Sequence, residues 1–411
     1  MANLDLTAMS AALKEYYHGQ KVTDLTFKKN PTLALLKKDT KAGGEVIPVP
    51  VMYGKSQGRS GDFATAQANQ TAPVLAKFML TRKSDYSLAT IDNQTLEATQ
   101  NDVEAFIKAS ELHIDAAYHT IVASAASGIF RAGTGTIGQI HADWTDGNDG
   151  VFELAEAVQA LQFEVGMAIT ASSGDGSGTV RAGVGYVLAV NVASGSITVS
   201  TTRGGAAGEP TAWAALDYLQ VQGDYNAKIS GFGAWLPIVR TGLATSFYGV
   251  NRSLHERRLA GVYHDGSAQS IEEAAIDLSN YTAENGGSGS KLITNYRSYG
   301  ALKKALGSKV QYVDLETEVG IGFRGIRISG DDGEIDVIPD RNCPARLGYL
   351  LDMDTWCLRS VGEVPHIITY GKEGLEMLRV SNQDAAEVRI AYYANLECND
   401  PGANGVVQFG A

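Results

Sequence analysis

Cysteine is scarce, with only Cys343, Cys357 and Cys398 in 411 residues. Spacings of 14 and 41 match no zinc or redox motif, and three thiols make no disulfide framework. No stretch approaches the ~20 consecutive apolar residues that cross a bilayer. The opening Met1-Ala2-Asn3-Leu4-Asp5-Leu6-Thr7 lacks the basic and apolar regions of a signal peptide, so neither membrane nor secretion is expected. A basic excess is also missing. Asp plus Glu is 46 against 34 Lys plus Arg, a net charge of -12, which argues against a free-standing DNA-binding domain. The seven histidines are scattered; His113 and His119 lie six apart, on different faces of any helix, and no H-E-x-x-H exists. Walker A and G-x-S-x-G patterns are absent as well.

Two motifs come close without meeting their mechanism. Gly320, Gly322 and Gly325 have the dinucleotide spacing, but Arg327-Ile328-Ser329 continues as a strand where a helix should begin. Asp143, Asp146, Asn148 and Asp149 surround Gly147, and Asp331, Asp332, Glu334 and Asp336 surround Gly333; neither has the EF-hand order, and both read as acidic turns. No catalytic residue, cofactor site or metal site is expected, and the chain does not read as an enzyme.

Apolar residues make up 44% of the chain, enough for a core, and the length suggests two or three domains. Glycine, at 46, signals many turns. Over residues 1–60 there are nine Lys/Arg and five Asp/Glu, a local +4, which leaves -16 for the rest. Residues 1–44 therefore read as a basic arm, with Leu13, Tyr16 and Tyr17 in a short helical pattern, then Val22, Leu25 and Phe27. Leu33, Leu35, Leu36, Lys37 and Lys38 are its candidate contacts with a neighbouring subunit.

Residues 45–54 read as a strand in which Pro48 and Pro50 share a face and give no ladder donors, so it is an edge or bulged strand. Residues 75–92 read as its partner or partners. Together, 45–92 is a long hairpin with a Gly/Ser-rich tip; Tyr53, Lys55 and Arg59 are further candidate subunit contacts. An isolated hairpin is marginal in water, so this one needs a surface, in another subunit by expectation. Val103, Phe106, Ile107, Ile114, Ala117, Ile121 and Ala125 keep the 3.6-residue period, which predicts a long helix over 96–127. Residues 131–240 hold 18 of the 46 glycines and ten acidic residues, with strands at Val165–Ala171, Thr179–Val192, Ser196–Thr202 and Asp217–Val221, and a hairpin turn at Ala193-Ser194-Gly195. This reads as an inserted β-barrel or β-sandwich. A short helix over Leu254–Leu259, an acidic helix over 270–285, and alternating strands and a helix follow to a final strand, Glu387–Leu396.

The order is basic arm, long hairpin, strut helix, β insert, α/β region and terminal strands. It resembles the major capsid protein of tailed bacteriophages with the Hong Kong 97-like fold. The resemblance is carried by Leu13-Lys-Glu-Tyr-Tyr17 through Leu35-Leu36-Lys37, Gly43-Gly44 with Pro48 to Gly54, Gly249-Val-Asn-Arg252, Ile293-Thr-Asn295 with Tyr299 and Leu302, and Val337 to Pro344 with Tyr349 to Trp356. It implies an α+β fold with an arm (1–44), an extended loop (45–92), a spine helix of the peripheral domain (93–130), an inserted β domain (131–240), a return to the peripheral domain (241–269), an axial α/β domain (270–380) and C-terminal strands of the peripheral domain (381–411). It further implies a structural protein of the virion, assembled in the host bacterial cytoplasm. Its partners would be copies of itself in pentamers and hexamers, a portal, possible scaffolding or decoration proteins, and packaged double-stranded DNA met non-specifically. An encapsulin-type bacterial compartment shell and a β-rich adhesin or tail protein are the alternatives. Some relatives in that family join a lysine to a neighbour's asparagine. Lys55 and Lys77 with Asn395, Asn399 and Asn404 are the available parts, but a tip lysine in water keeps its proton, so no such cross-link is expected.

Overall fold

The computed structural model describes residues 30–92, 103–145, 147, 149–306, 311–315, 323–330, 333–370, 377–381 and 383–410. Leu13 to Phe27, the predicted helix ahead of Val103, Gly320 and Gly322, and Asp146, Asn148, Asp331 and Asp332 lie outside them.

The longest strand is Ala385–Cys398, 14 residues. Val388, Ile390, Tyr392, Ala394, Leu396 and Cys398 fall on one face by the two-residue period and are all buried. Ala391, Asn395 and Glu397 on its other face are buried too. One edge of this strand carries Lys83–Asp92, in register from Ala385↔Asp92 to Ala394↔Lys83. The other edge carries Met377–Arg379, His366–Ile367 and Trp356–Ser360 end to end. Lys37–Asp39 adds a parallel strand beyond Trp356–Ser360, which completes six. The helix Val103–Gly128 packs on this sheet. Its Ile114, Tyr118, Ile121, Val122 and Ala125 share one core with Val388, Ile390, Trp235 and Trp356. Phe232 anchors that core, 4.7 Å from Trp356 and 5.5 Å from Phe130 in edge-to-face contacts; each large aromatic so buried contributes about 2–3 kcal/mol.

A seven-stranded sheet follows in the order Val262–Gly266, Gly405–Phe409, Leu347–Leu351, Lys291–Thr294, Gly333–Pro339, Phe323–Gly330, Gln311–Leu315. The helices Ile271–Glu284 and Tyr296–Leu306 cover it. Ser270 starts the first with a full capping box, its side chain accepting from the Glu273 amide while Glu273 returns to the Ser270 amide. Gly325 sits inside a strand here, not before a helix. Several strands depart from the expected grouping: His366–Ile367 and Met377–Arg379, assigned with 270–380, pair with Ala385–Cys398, and Val262–Gly266, assigned with 241–269, lies in the seven-stranded sheet. Trp356–Ser360, assigned with 270–380, pairs with Ala385–Cys398 instead. Gly405–Phe409, assigned with 381–411, enters the middle of the seven-stranded sheet. Alternation sets which residues face a core, not which strand lies alongside, so sequence grouped these by proximity in the chain.

The third sheet runs Thr136–Gln139, Tyr218–Val221, Ala168–Ser172, Gly185–Asn191, Ser196–Ser200, Val151–Glu153. The Ile140↔Leu154 bridge, with His141 N donating to Glu153 O at 2.8 Å and Ala155 N to Gln139 O at 2.8 Å, leads the order back to its first strand. Phe152, Ile169, Ala171, Val187, Ile197, Val199 and Leu219 fill a separate core. The turn between Asn191 and Ser196 needs glycine at 195: φ is 72°, and a Cβ would meet the Ala157 Cα at 2.6 Å. Thr136–Gln139 and Val151–Glu153 were not expected, since strands of four and three residues show no period.

Candidate functional site

Residues 46–81 form a two-stranded ribbon, Val46–Gly54 against Val74–Thr81. The expected partner segment 75–92 thus splits, because Lys83–Asp92 turns away into the main sheet. The ribbon has two unlike faces. Val49, Val51, Phe78 and Leu80 point inward and are 0–4% exposed. Phe78 meets Trp235 at 5.0 Å and Phe247 at 6.0 Å between ring centroids. Met79 N donates to Tyr248 O at 2.9 Å, and Arg258 Nη1 donates to Tyr53 O at 2.8 Å. The surface expected from another subunit is therefore supplied, on this face, by the chain itself. The outward face pairs Pro48 with Met79, Pro50 with Lys77 and Met52 with Leu75. Met52, Leu75 and Met79 are 52%, 64% and 44% exposed, a continuous apolar strip interrupted by one lysine. Pro48 and Pro50 give an incoming strand no N–H, so this edge resists strand addition.

The Gly/Ser-rich tip has its own hydrogen-bonded structure. Gln57 and Thr71 exchange hydrogen bonds of 3.0 Å, and a helix, Phe63–Ala68, starts at Asp62, whose carboxylate accepts from Thr65 N at 2.9 Å. That hydrogen bond leads the causes holding the Asp62 carboxyl below its ordinary value. Phe63 is 81% exposed on this helix and was not singled out in the sequence; its position in a Gly/Ser/Ala-rich segment hid it. Lys55 and Arg59 are exposed beside it, while Tyr53 is half-buried at the ribbon's fixed end.

Asn30 to Asp39 is docked on this chain. The helix Pro31–Leu35 is held by Asp340, which accepts from Thr32 Oγ1 at 2.6 Å, Thr32 N at 3.3 Å and Asn342 N at 2.9 Å. Asn342 Nδ2 donates to Asn30 Oδ1 at 3.0 Å. Burial pushes the Asp340 carboxyl up, against those hydrogen bonds. Leu33 and Leu36, expected to dock on a neighbour, are 1% and 4% exposed in this chain's own core, and that expectation is corrected for both. Leu35 is half-buried, Lys37 pairs with Asp354 at 2.7 Å, and Lys38 is exposed on the strand. Arg359 ties that strand inward, bonded to Asp39 and to Glu397. The eight candidate contacts thus separate into an arm group and a ribbon group.

A buried charge cluster joins the sheets. Lys228 Nζ lies 2.5 Å from Asp85 Oδ2, 3.0 Å from Asp224 Oδ2 and 2.9 Å from Ser124 Oγ. Sequence offered no signal for it, since Asp85 and Ser124 lie about a hundred residues or more from Asp224 and Lys228. It borders a cavity of about 360 Å³ that also touches Ser127, Arg131 and Arg341.

The three thiols are raised by burial, Cys343 and Cys398 strongly. Among the described residues, no group of His, Cys, Asp and Glu is arranged to hold a metal, and no helix is long and apolar enough to cross a membrane.

No protein-family model matches the sequence, and no curated protein matches it. The solved structures similar to the chain include phage and GTA capsids and an encapsulin complex. The cyanophage A-1(L) capsid asymmetric unit is 12% identical with a TM-score of 0.49, covering 92% of each chain. The capsid of a native GTA particle is 9% identical with a TM-score of 0.46, covering 94% of this chain and 92% of the other. The SrpI encapsulin complex of Synechococcus elongatus is 8% identical with a TM-score of 0.44, covering 99% and 96%. At these values the likenesses carry no functional argument, which rests on the chain's own geometry.

Proposed function

We propose that this chain is a structural shell protein, the major capsid protein whose copies close into the icosahedral head around phage double-stranded DNA. The ribbon's outward face carries the reading. An apolar strip of Pro48, Pro50, Met52, Leu75 and Met79, next to an ordered tip bearing Phe63, is a surface a monomer has no use for. A neighbouring copy in a shell covers it, and repeated heterologous contacts of this kind close when rotation allows. The reading takes Val103–Gly128 as the spine, the six-stranded sheet as the peripheral region and the seven-stranded sheet as the axial region. The closed third sheet is an inserted barrel. A net charge of -12 limits sticking to packaged DNA, leaving loose contact. Portal, scaffolding and decoration proteins would be its further partners.

Electron microscopy and sedimentation of the purified chain, alone and from infected-cell extract, test this. Rings or closed shells are expected, and shells from infected cells should protect long double-stranded DNA from nuclease. Shells holding protein cargo and no DNA would favour the encapsulin-type compartment. A monodisperse monomer in both preparations would sink the proposal.

A further inference from the structure

The cluster around Lys228 has the makings of a chemical site, independent of the shell reading. Asp85 comes from the strand Lys83–Asp92, Ser124 from the long helix, and Asp224 and Lys228 from the segment that leaves the third sheet. Their side chains converge from three elements and are little exposed: 10% for Lys228, 14% for Asp85 and 19% for Asp224. Ser124 Oγ donates to Asp85 Oδ2 at 2.6 Å, the oxygen that also faces the lysine. Two carboxylates around one ammonium leave a net negative charge in a poorly solvated place, which favours keeping one more proton there. Burial raises the Asp224 carboxyl accordingly. Tyr392 stands next to the cluster, its hydroxyl beside Asp85 and Ser124, and burial, then the Asp85 charge, pushes it well up. The cluster brings together an amine, a carboxyl within its reach and a second carboxyl able to carry protons, which is the proximity and acid-base provision that amide formation requires.

We propose that Lys228 and Asp85 become joined by an intramolecular isopeptide bond, with Asp224 carrying protons. Lys228 passes one proton to Asp85, giving a neutral amine and a carboxylic acid. Nζ then attacks Asp85 Cγ, and the N–C bond forms. One oxygen of the protonated Asp224 carboxyl accepts the second amine proton, while its other oxygen gives its proton to the departing hydroxyl. The C–O bond breaks, one water leaves, and Asp224 ends protonated as it began. Ammonium plus carboxylate becomes amide plus water, with no oxidant or cofactor. The bond ties positions 143 apart in sequence and fastens the third sheet to the main one.

Intact-mass spectrometry of the full-length chain is the test. The expected mass is lower than the sequence mass by one water, about 18 Da. Tryptic mapping should show a branched pair of peptides carrying Asp85 and Lys228, with no cleavage after Lys228. Asp224→Asn keeps both bonding partners and should return the sequence mass in a protein with the wild-type circular dichroism spectrum. Lys228→Arg, which keeps the charge, should do the same. Wild-type protein at the sequence mass with normal cleavage after Lys228 would overturn the proposal, leaving a static ion pair. A water loss that maps elsewhere, such as an aspartyl succinimide, would overturn it equally. Loss of water retained in Asp224→Asn would remove Asp224 from the chemistry.

Discussion

Asn404 shows what single buried polar residues do in this fold. Its Oδ1 accepts from Trp356 Nε1 at 2.8 Å and Asp352 N at 2.9 Å; its Nδ2 donates to Thr355 Oγ1 at 2.9 Å and Asp400 O at 2.8 Å. Asn404→Ala leaves two buried donors without an acceptor, so a loss of about 3 kcal/mol is expected in urea unfolding. Asn395 is similarly occupied, donating to Thr81 O and accepting from Ser230 N. Of the three candidate cross-link asparagines, these two are fully buried and already bonded, while Asn399 is exposed, so a cross-link would still need a lysine that has lost its proton. Lys55 and Lys77 are exposed. Boiled particles should therefore run as one band near 43.6 kDa, and a ladder of multimers would contradict this. Asp336 sets a pH dependence. Burial alone would raise its carboxyl, but Arg327 Nε at 2.8 Å and Lys291 Nζ at 2.6 Å bring it below its ordinary value. A depressed acid stabilises the fold above about pH 4 and loses that contribution as pH falls through the folded value. Asp336→Asn should lower the melting temperature at pH 7 and flatten its fall below about pH 4. None of this pairing was legible in sequence, where an asparagine or aspartate looks the same in a turn and in a core.

At the scale of an element, the ribbon separates stability from assembly. Phe78→Ala on the inward face opens a cavity against Trp235 and should cost about 3–5 kcal/mol of folding stability. Met52→Lys with Leu75→Glu, opposite charges at a directly facing pair on the outward face, should leave the melting temperature within about 2 °C, since surface changes shift stability little. The same pair should abolish shells in the microscope; normal shells from it would free this face of any role in assembly. The ribbon itself was legible, because alternating residues and two prolines on one face mark a half-exposed edge strand. Its extent was not, because Tyr86 and Leu88 return to the phase of Phe78 and Leu80 while the strands go to different sheets. The two unexpected strands of the third sheet escaped for a simpler reason: three or four residues cannot display a period.

Across the whole molecule, the α+β class and the order of helices and strands were readable, while the exchange of strands between sheets was not. The third sheet offers a test of modularity. Asn226 N donates to Thr134 O at 2.9 Å, so its two chain ends meet. A fragment of residues 133–227 should give dispersed amide resonances; a fragment starting at 140 loses the strand Thr136–Gln139 and should not. The placement of Gly405–Phe409 has a consequence in time. It lies between Val262–Gly266 and Leu347–Leu351, pairing in parallel with the first and antiparallel with the second. A ribosome must therefore deliver residue 409 before strands translated far earlier find their neighbour. A chain that stops short leaves two strand edges open in the middle of its sheet and stays recognisable to proteases. The seven-stranded sheet thus closes only when the strand that comes last in the chain among its members arrives at its middle.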